Sequence, residues 1–458
     1  MDVNPDEPPV CDPLEKCFTW IKKGRPMINS DFLHPSDQLV MIMKRIYEYG
    51  MTTMSGGNLS IKDDNGDIWI TPAGIDKGGL TRNDIVRVKP DGTTEGRHKP
   101  SSELPFHRLA YEKAPQLRAV LHAHPPALVA FSMARKIPDT SILASACHIC
   151  GKTGMARYDL PGSVRLGEKI AAMFERGCDA VMLENHGVVA GAENIYKAFL
   201  LFETLDFCAR VEISAHRIGK PIIQKDEDLE RWRVWRQNAS VMQEFVPVYH
   251  SNEEKAARRD ICDVVKRAYR QRLFTGSQGT VSQRLGAGSF VITPAHVDRA
   301  YIAPEDLTRI DNGIREAGRT PDDLAPLHAL IYETQPHVNA IITACAPNLM
   351  AFAVTGVKFD SRVIPESYIL LRNMPKLQFD ALFSRQEEAA KTFVKENPVA
   401  LVENGCVIAT GGSLINAFDR LEVGEYSAKA IIASRDVGDI ATINDMQTAE
   451  IHEAFHLD

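Results

Sequence analysis

The chain has 458 residues, of which 44% are hydrophobic and 25% are charged, and its formal net charge at pH 7 is -7. Domains usually contain ~100–200 residues, so this length predicts two or three domains, and the composition excludes a disordered chain. No block of basic residues supplies the positive surface that binds a phosphate backbone, so nucleic acid is not an expected partner.

The sequence carries no signal for a membrane or for export. No stretch reaches the ~18 apolar residues of a membrane span, and residues 1–30 are acidic and proline-rich without an apolar signal core. The nine cysteines are scattered along the chain, which is typical of reduced thiols rather than of a disulfide framework. We therefore expect a cytoplasmic protein with no membrane partner.

In chain order, the first half of the sequence alternates between helices and strands. Apolar residues at helical spacing predict a helix over 36–49, and a hairpin with strands over 56–61 and 67–71 follows around an Asn-Gly turn. The same patterns predict further elements, namely helices over 104–113, 126–135, 162–176 and 193–218 and strands over 117–123, 180–184 and 188–190. Hairpins mixed with helices favour an α/β or α+β fold around a central sheet.

The sequence contains the same domain twice. The segment 70–73 (ITPA) recurs at 292–295, 222 positions further on, and 55–60 (SGGNLS) matches 277–282 (SQGTVS) at the same shift. Other blocks follow in the same order at shifts of 221 and 219. Because this period far exceeds the ~20–50 residues of solenoid repeats, the repeated unit is a whole domain.

The positions of the two copies divide the chain into four segments. The stretch that begins with Gly-Lys-Pro at 219–221 and continues with charged residues and two tryptophans separates the copies as a linker with some helix of its own. The predicted segments are an N-terminal extension over 1–35, a first domain over 36–218, the linker over 219–255 and a second domain over 256–458.

Three histidines at strand ends predict a metal site in the first domain. His122 and His124 alternate along a strand in the sequence LHAHPP, so their side chains project from the same face. His186, in ENHG at another strand end, would complete a set of three imidazoles with one open coordination position, as catalytic zinc sites require. The alternative for His122 and His124 is a pair held by ordinary hydrogen bonds.

A carboxylate is needed beside such a metal to move protons, and Glu103, in KPSSE at the start of a helix, is the candidate. Helix N-termini favour anions, so Ser101, Ser102 and the free amides there could instead bind a phosphate, and Glu103 could simply cap the helix. The glycine-bearing loops 55–58 and 71–74 could surround an anion, although tight turns also need glycine for backbone reasons alone.

The motifs of the first domain form a series in a fixed order. They are SGGNLSIK (55–62), ITPAGIDKGGLTRNDIV (70–86), KPSSELPFHRLAYEKAP (99–115), VLHAHPPALVAFS (120–132) and ENHGVVAGAENIYKAF (184–199). In this series the domain resembles the class II aldolase/adducin family, which includes fuculose-phosphate and rhamnulose-phosphate aldolases, ribulose-phosphate 4-epimerase, methylthioribulose-phosphate dehydratase and decarboxylases. The resemblance implies that family's three-layer α/β (α+β) fold, here in two tandem copies.

The resemblance also implies roles for particular residues. His122, His124 and His186 would bind Zn2+ or another divalent transition metal, and Glu103 would be the catalytic acid/base. The substrate phosphate would be held by a further set of residues, namely Gly56, Asn58, Thr71, Gly74, Ser101 and Ser102. The implied enzyme is a zinc-dependent lyase of carbohydrate metabolism, which cleaves a small phosphorylated sugar-like substrate by a retro-aldol reaction through a metal-stabilised enediolate.

Two alternatives to the retro-aldol lyase stay open. A metal-dependent decarboxylase, dehydratase or epimerase of the same family would use the same metal-enolate chemistry. A non-catalytic adducin-like scaffold would use none of it, and the intact histidines and Glu103 argue against that role. The tyrosine that acts as a second acid in the aldolases has no matching motif here.

The second copy lacks every residue of the candidate metal site. The residues at the aligned positions are Thr343 for His122, Cys345 for His124, Gly405 for His186 and Leu324 for Glu103. The second domain is therefore expected to bind no zinc through this site. Because active sites of the family lie between adjacent subunits, we expect a homo-oligomer with its active site at a domain or subunit interface, and a purely structural second copy is the alternative.

Overall fold

The structure, a computed structural model, describes residues 33–239 and 241–457. Most of the N-terminal extension predicted over 1–35 therefore lies outside the described residues. The described residues divide into two compact units, one formed by residues 33–140 and 145–210 and the other by residues 141–144 and the described part of 211–457. Within the described ranges, no helix combines the length and the hydropathy of a membrane span.

The first unit is built on a mixed sheet of eight strands within residues 33–210. The strands are β1 (Asn58–Lys62), β2 (Ile68–Ile70), β3 (Val86–Val88), β4 (Thr94–Glu95), β5 (Ala119–Ala123), β6 (Thr153–Ala156), β7 (Ala180–Leu183) and β8 (Val188–Ala192). The helices are α1 (Pro35–Glu48), α2 (Leu104–Lys113), α3 (Pro126–Met133), α4 (Ala144–Cys150), α5 (Val164–Glu175) and α6 (Ile195–Ile218), of which Ala144 and the part of α6 after Arg210 are assigned to the second unit. The strand order is β4-β3-β2-β1-β5-β8-β7-β6, and neighbours are antiparallel except for the pair β6 and β7.

Each helix and strand predicted for the first domain is present, with shifts at the ends. The helix predicted over 104–113 coincides with α2, whereas the strand predicted over 56–61 begins only at Asn58. Gly57 has a φ of 72°, a left-handed conformation that interrupts an extended strand. The sequence analysis did not predict β3, β4 and β6, because strands of two to four residues are too short to show a period.

The second unit is built on a mixed sheet of nine strands within the described part of 211–458. The strands are β9 (Glu244–Phe245), β10 (Thr280–Gly286), β11 (Ser289–Ile292), β12 (Thr308–Asp311), β13 (Ile314–Glu316), β14 (Ala340–Ala344), β15 (Lys376–Leu377), β16 (Val399–Val402) and β17 (Val407–Gly411). The helices are α7 (Asp226–Ala239), α8 (Asn252–Arg270), α9 (Ala325–Thr334), α10 (Pro347–Ala353), α11 (Pro365–Leu371), α12 (Gln386–Ala390), α13 (Leu414–Ser434) and α14 (Asp445–Phe455). Of these, α7 lies in the predicted linker.

The two sheets have the same strand order. The second runs β15-β16-β17-β14-β10-β11-β12-β13, which corresponds strand by strand to β6-β7-β8-β5-β1-β2-β3-β4, and β9 adds one edge strand. Both contain one parallel pair at the corresponding end, β6 with β7 and β15 with β16. This topology confirms the α/β fold class and the tandem copies that the sequence predicted.

The core of the first unit fixes the strands that end at the candidate site. Phe106 and Tyr111 on α2 lie in one buried cluster with Phe174 on α5, and Val120 on β5 and Val181 on β7 belong to the same cluster. Burying a large apolar side chain stabilises the fold by roughly 1.5–3 kcal/mol. The ends of β5 and β7 and the start of α2 are therefore held on a rigid base.

Candidate metal centre

Two strands and one tight turn position the three histidines. His122 lies in β5 at the centre of the sheet, paired with Asn58 on one side and Val189 on the other, and His124 follows the end of β5. His186 lies in the turn from β7 to β8, which closes when the Leu183 amide donates to the Gly187 carbonyl at 2.8 Å. Antiparallel pairing of β5 with β8 brings this turn to the end of β5.

The three imidazoles meet at one point. Their ring centroids are 4.6 Å apart for His122 and His124, 4.8 Å for His122 and His186, and 5.0 Å for His124 and His186. One nitrogen from each ring lies within 4.8 Å of the other two. Within the described residues, this trio is the group of histidine, cysteine and acidic side chains whose geometry can hold a metal ion. Three imidazoles suit zinc and also copper, iron or nickel.

The hydrogen bonds of the rings leave the correct nitrogens available. The Nδ1 of His122 donates to the Val188 carbonyl at 3.0 Å, so its Nε2 carries the lone pair. The Nε2 atoms of His122 and His124 are buried and have no hydrogen-bond partner among the described residues. A buried nitrogen without a partner costs free energy, and coordination to a cation would satisfy both atoms. The residues therefore fit a metal ion.

The electrostatics of the trio keep the rings neutral. Burial and the neighbouring His186 lower the pKa of His122 to about 3. Burial, together with the imidazoles of His122 and His186, lowers the pKa of His124 to about 3. Burial also lowers the pKa of His186. At neutral pH the rings are in the unprotonated form that binds metals.

Glu103 lies beside the trio, at the N-cap position of α2. One carboxylate oxygen, Oε2, is 3.4 Å from His122 Nε2 and accepts a hydrogen bond from the Asn58 amide at 2.7 Å. The other oxygen, Oε1, is buried and has no partner in the described part of the chain. The carboxylate therefore combines one fixed oxygen with one free oxygen next to the imidazoles.

Two glycines make room for His124. A β-carbon added at Gly187 would lie 2.6 Å from the Ala123 carbonyl oxygen and 2.7 Å from His124 Cδ2. At Gly56, an added β-carbon would lie 3.0 Å from His124 Nδ1 and 2.9 Å from Thr52 Oγ1. The glycines of the SGGN and ENHG motifs thus have a packing function at the imidazole, beyond the needs of their turns.

The sequence analysis missed the part that His107 plays behind this site. His107 is fully buried in α2, and its Nε2 lies 2.5 Å from the side-chain oxygen of Asn58, whose amide in turn bonds to Glu103. Burial lowers the pKa of His107 well below its usual value. The signal was present in the sequence, since Glu103 and His107 are four residues apart and share one face of α2.

The residues predicted to hold a phosphate occupy neighbouring loops. Ser101 donates its amide to the Thr71 carbonyl at 3.2 Å, which joins the loop after β2 to the start of α2. Ser102 and Gly74 are exposed, and Gly74 has a φ of 67°. Gly56 lies beside the His124 ring, whereas both ends of the Asn58 side chain point to Glu103 and His107. A phosphate contact by these residues stays a prediction.

Comparison with known proteins identifies the family. The Class II Aldolase and Adducin N-terminal domain matches residues 37–213 and again residues 259–432. The chain belongs to this family. Both the resemblance and the tandem duplication that the sequence predicted are confirmed.

Individual class II aldolase relatives catalyse different reactions. The chain is 33% identical to a 5-deoxy-D-ribulose 1-phosphate aldolase of Bacillus thuringiensis over 42% of this chain and 91% of the relative. It is 31% identical to a methylthioribulose-1-phosphate dehydratase of Acidiphilium cryptum over 40% of this chain and 90% of the relative. It is 30% identical to a 3-oxo-tetronate 4-phosphate decarboxylase of Haemophilus influenzae over 39% of this chain and 87% of the relative.

The second class II aldolase copy has replaced the site at its equivalent positions. Thr343 in β14 pairs with Thr280 as His122 pairs with Asn58, and Leu324 is the N-cap residue of α9 as Glu103 is of α2. Neither residue offers a metal ligand of the histidine, cysteine or carboxylate type. The strand register and the helix start therefore place Thr343 and Leu324 at the positions of His122 and Glu103, as the sequence alignment predicts.

Proposed function

We propose that the first copy is a zinc-dependent lyase that cleaves a carbon–carbon bond in a small, phosphorylated, sugar-like substrate by a retro-aldol reaction. The observation that carries this proposal is the convergence of three neutral imidazoles and one carboxylate, with Glu103 Oε2 at 3.4 Å from His122 Nε2. A scaffold protein has no use for a buried trio of this kind. The aldolase relative supports cleavage as the reaction.

Each residue of the site has one task in this proposal. His122, His124 and His186 hold the ion, and the hydrogen bond from His122 to the Val188 carbonyl fixes the ring that points at it. A bound zinc ion supplies Lewis-acid stabilisation of negative charge on the substrate oxygens. Glu103 takes up and returns the proton at Oε1, the oxygen that no described residue engages.

The substrate phosphate is assigned to the loops beside the trio. Ser101 and Ser102 lie at the start of α2, where backbone amides and the helix dipole favour an anion. Thr71 and Gly74 belong to the loop that the Ser101 amide joins to this helix, and Gly56 lies on the other side, at His124. Phosphorylated substrates are also named for the three relatives.

Metal analysis tests the proposal. We expect wild-type protein to contain one zinc ion per chain by plasma mass spectrometry and His122→Ala to contain none, because removing one of three ligands opens the site. Thr343→Ala is the matched control, since it alters the same position of the second sheet, and it should retain the ion. Wild-type protein that takes up no divalent metal would refute the proposal.

Assays on the same samples separate the reactions. The panel contains 5-deoxy-D-ribulose 1-phosphate, L-fuculose 1-phosphate, methylthioribulose 1-phosphate and 3-oxo-tetronate 4-phosphate. Aldehyde release that disappears in His122→Ala supports the lyase. Metal-dependent release of carbon dioxide or of water instead would assign a decarboxylase or a dehydratase. A bound metal without turnover of any kind would favour the scaffold.

The assembly is part of the proposal. We propose a homo-oligomer, on the basis of the family resemblance, in which a domain or subunit interface completes the site of the first copy. Light scattering on the full chain should then give a mass of two or more chains. A strict monomer with full activity would refute this arrangement.

A further inference from the structure

A buried row of hydrogen-bonded side chains ends at Glu103. It begins at the Tyr111 hydroxyl, 2.7 Å from Ser60 Oγ, and Ser60 Oγ lies 2.7 Å from His107 Nδ1. His107 Nε2 lies 2.5 Å from Asn58 Oδ1, and Asn58 Nδ2 lies 2.7 Å from Glu103 Oε2. Each of these residues is at most 9% exposed.

The Glu103 carboxylate at the end of the row determines which group donates and which accepts in each hydrogen bond. A carboxylate only accepts, so Asn58 must donate its Nδ2 hydrogen to Glu103. The Oδ1 of Asn58 then accepts from His107, which places the ring hydrogen on Nε2. His107 Nδ1 in turn accepts from the Ser60 hydroxyl, and the Tyr111 hydroxyl donates to Ser60. Every donor of the row points toward the carboxylate.

We infer that Asn58 and His107 are positioning residues for Glu103, an inference that rests on the proposed lyase function. The row fixes Oε2 as the accepting oxygen and leaves Oε1 as the oxygen that carries the proton of the reaction. Asn58 thereby has a different role from the phosphate contact that the family resemblance implies. An amide cannot pass a proton along, so the row orients the carboxylate and does not conduct.

The second copy shows which members belong to the fold and which to the site. Ser282 lies 2.8 Å from His328 Nδ1 and 2.7 Å from the Tyr332 hydroxyl, as Ser60 does from its partners. There, however, His328 Nε2 meets Thr343 Oγ1 at 3.1 Å, and the Asn58 position is Thr280. The tyrosine, serine and histidine are therefore common to both cores, and Asn58 is the residue that connects them to a carboxylate.

Nuclear magnetic resonance of protein labelled with 15N-histidine tests the direction of the row without any substrate. We expect His107, assigned by its loss in His107→Gln, to carry its hydrogen on Nε2 at neutral pH. The reversed row, with the Asn58 oxygen toward Glu103, would require a hydrogen on Nδ1. Detection of the Nδ1 form would overturn the inference, whatever the enzyme turns out to catalyse.

Kinetics then separate positioning from substrate binding. Asn58→Thr installs the residue that the second copy carries at this position, and Thr280→Ala is the control in the second copy. We expect Asn58→Thr to lower kcat by roughly 10–100-fold with KM nearly unchanged, as loss of an outer hydrogen bond to a reactive group does. Its metal content should equal that of wild type, and the control should keep full kcat.

The opposite effect on kcat and KM would refute the inference. A raised KM with an unchanged kcat in Asn58→Thr would assign the residue to the phosphate. If wild type turns over none of the phosphorylated substrates, the proposed lyase fails, and the position of the ring hydrogen in His107 still decides the orientation of the row.

Discussion

The two copies have the same strand order and the same buried tyrosine, serine and histidine, yet the first alone combines three imidazoles with a carboxylate among the residues that the structure describes. The candidate metal-site positions that differ between the copies lie at a strand end, a turn and a helix start. His122 and Thr343 hold one register position, and Glu103 and Leu324 hold one N-cap position. The fold therefore does not depend on the residues of the metal site, because the core residues that support these positions are separate from them.

The replacement of His124 extends to the residues around it. In the first copy, the positions of Gly56 and Gly187 have no space for a β-carbon beside the His124 imidazole. The aligned residues of the second copy are Gln278 and Cys406, both with side chains, and the imidazole itself is replaced by Cys345. A smaller side chain at the centre permits larger ones around it, which is what close packing requires.

The helix starts that carry the predicted phosphate-binding serines of the first copy differ between the copies in their acidic residues. At the positions of Ser101 and Ser102 the second copy has Asp322 and Asp323, and the buried Arg299 lies 3.4 Å from an Asp322 oxygen. The Asp322 side chain also accepts from the Leu324 amide at 3.1 Å. The helix start of the second copy therefore carries its own carboxylates, and each is paired with an arginine, Asp322 with Arg299 and Asp323 with Arg236.

The largest difference between the copies should appear at the N-cap positions. We expect Glu103→Gln to lower kcat by roughly 10²–10⁴-fold, because an amide of the same shape cannot take up the proton. The metal content should be unchanged, since the imidazoles remain. Leu324→Met, at the same position of α9, should leave kcat as in wild type. An activity within a few-fold of wild type in Glu103→Gln would exclude it as the acid/base.

The two glycines next to His124 give the second test. Gly187→Ala should weaken zinc binding by roughly 10–100-fold, because its β-carbon would meet His124 Cδ2 at 2.7 Å and displace the ring. Competition with a chromogenic chelator measures the affinity. Cys406→Ala removes the side chain at the aligned position of the second copy and should leave the affinity unaltered. Equal affinities for Gly187→Ala and wild type would show that the ring tolerates displacement.

The smallest expected effect concerns the histidine that both cores share. Burial lowers the pKa of His328 to about 3, so between pH 6.5 and about 3 the unfolded chain binds a proton that the folded chain does not. The free energy of unfolding of the second copy therefore falls as the pH falls, by ~2 kcal/mol from this group between pH 7 and pH 5. His328→Gln should remove that part of the fall in urea unfolding.

His216 provides the control for this pH dependence. Its side chain is 61% exposed, and His216→Gln should leave the difference between the two pH values as in wild type. If His328→Gln loses as much stability as wild type on acidification, the buried ring of the second copy is not the group that takes up the proton.

Much of the candidate site could be read from the residues. The alternation of His122 and His124 along one strand sets both rings on one face, a local rule that holds in any sheet. The copy comparison identified Thr343 and Leu324 as replacements before any contact was known, since both copies keep the same order of blocks. The short strands β3, β4 and β6 could not be predicted, because they form through pairing with neighbouring strands and their own two to four residues show no period.

The sequence by itself determined the family, the duplication and the types of side chain in the candidate metal site, because these depend on local patterns and on the order of motifs. Tertiary structure alone decided that the Asn58 amide binds Glu103 instead of facing a loop, and that Gly187 adjoins His124. These contacts join residues far apart in the chain, at distances set by strand register and core packing. A local pattern carries no information about such distances, since the same residues would fit several registers.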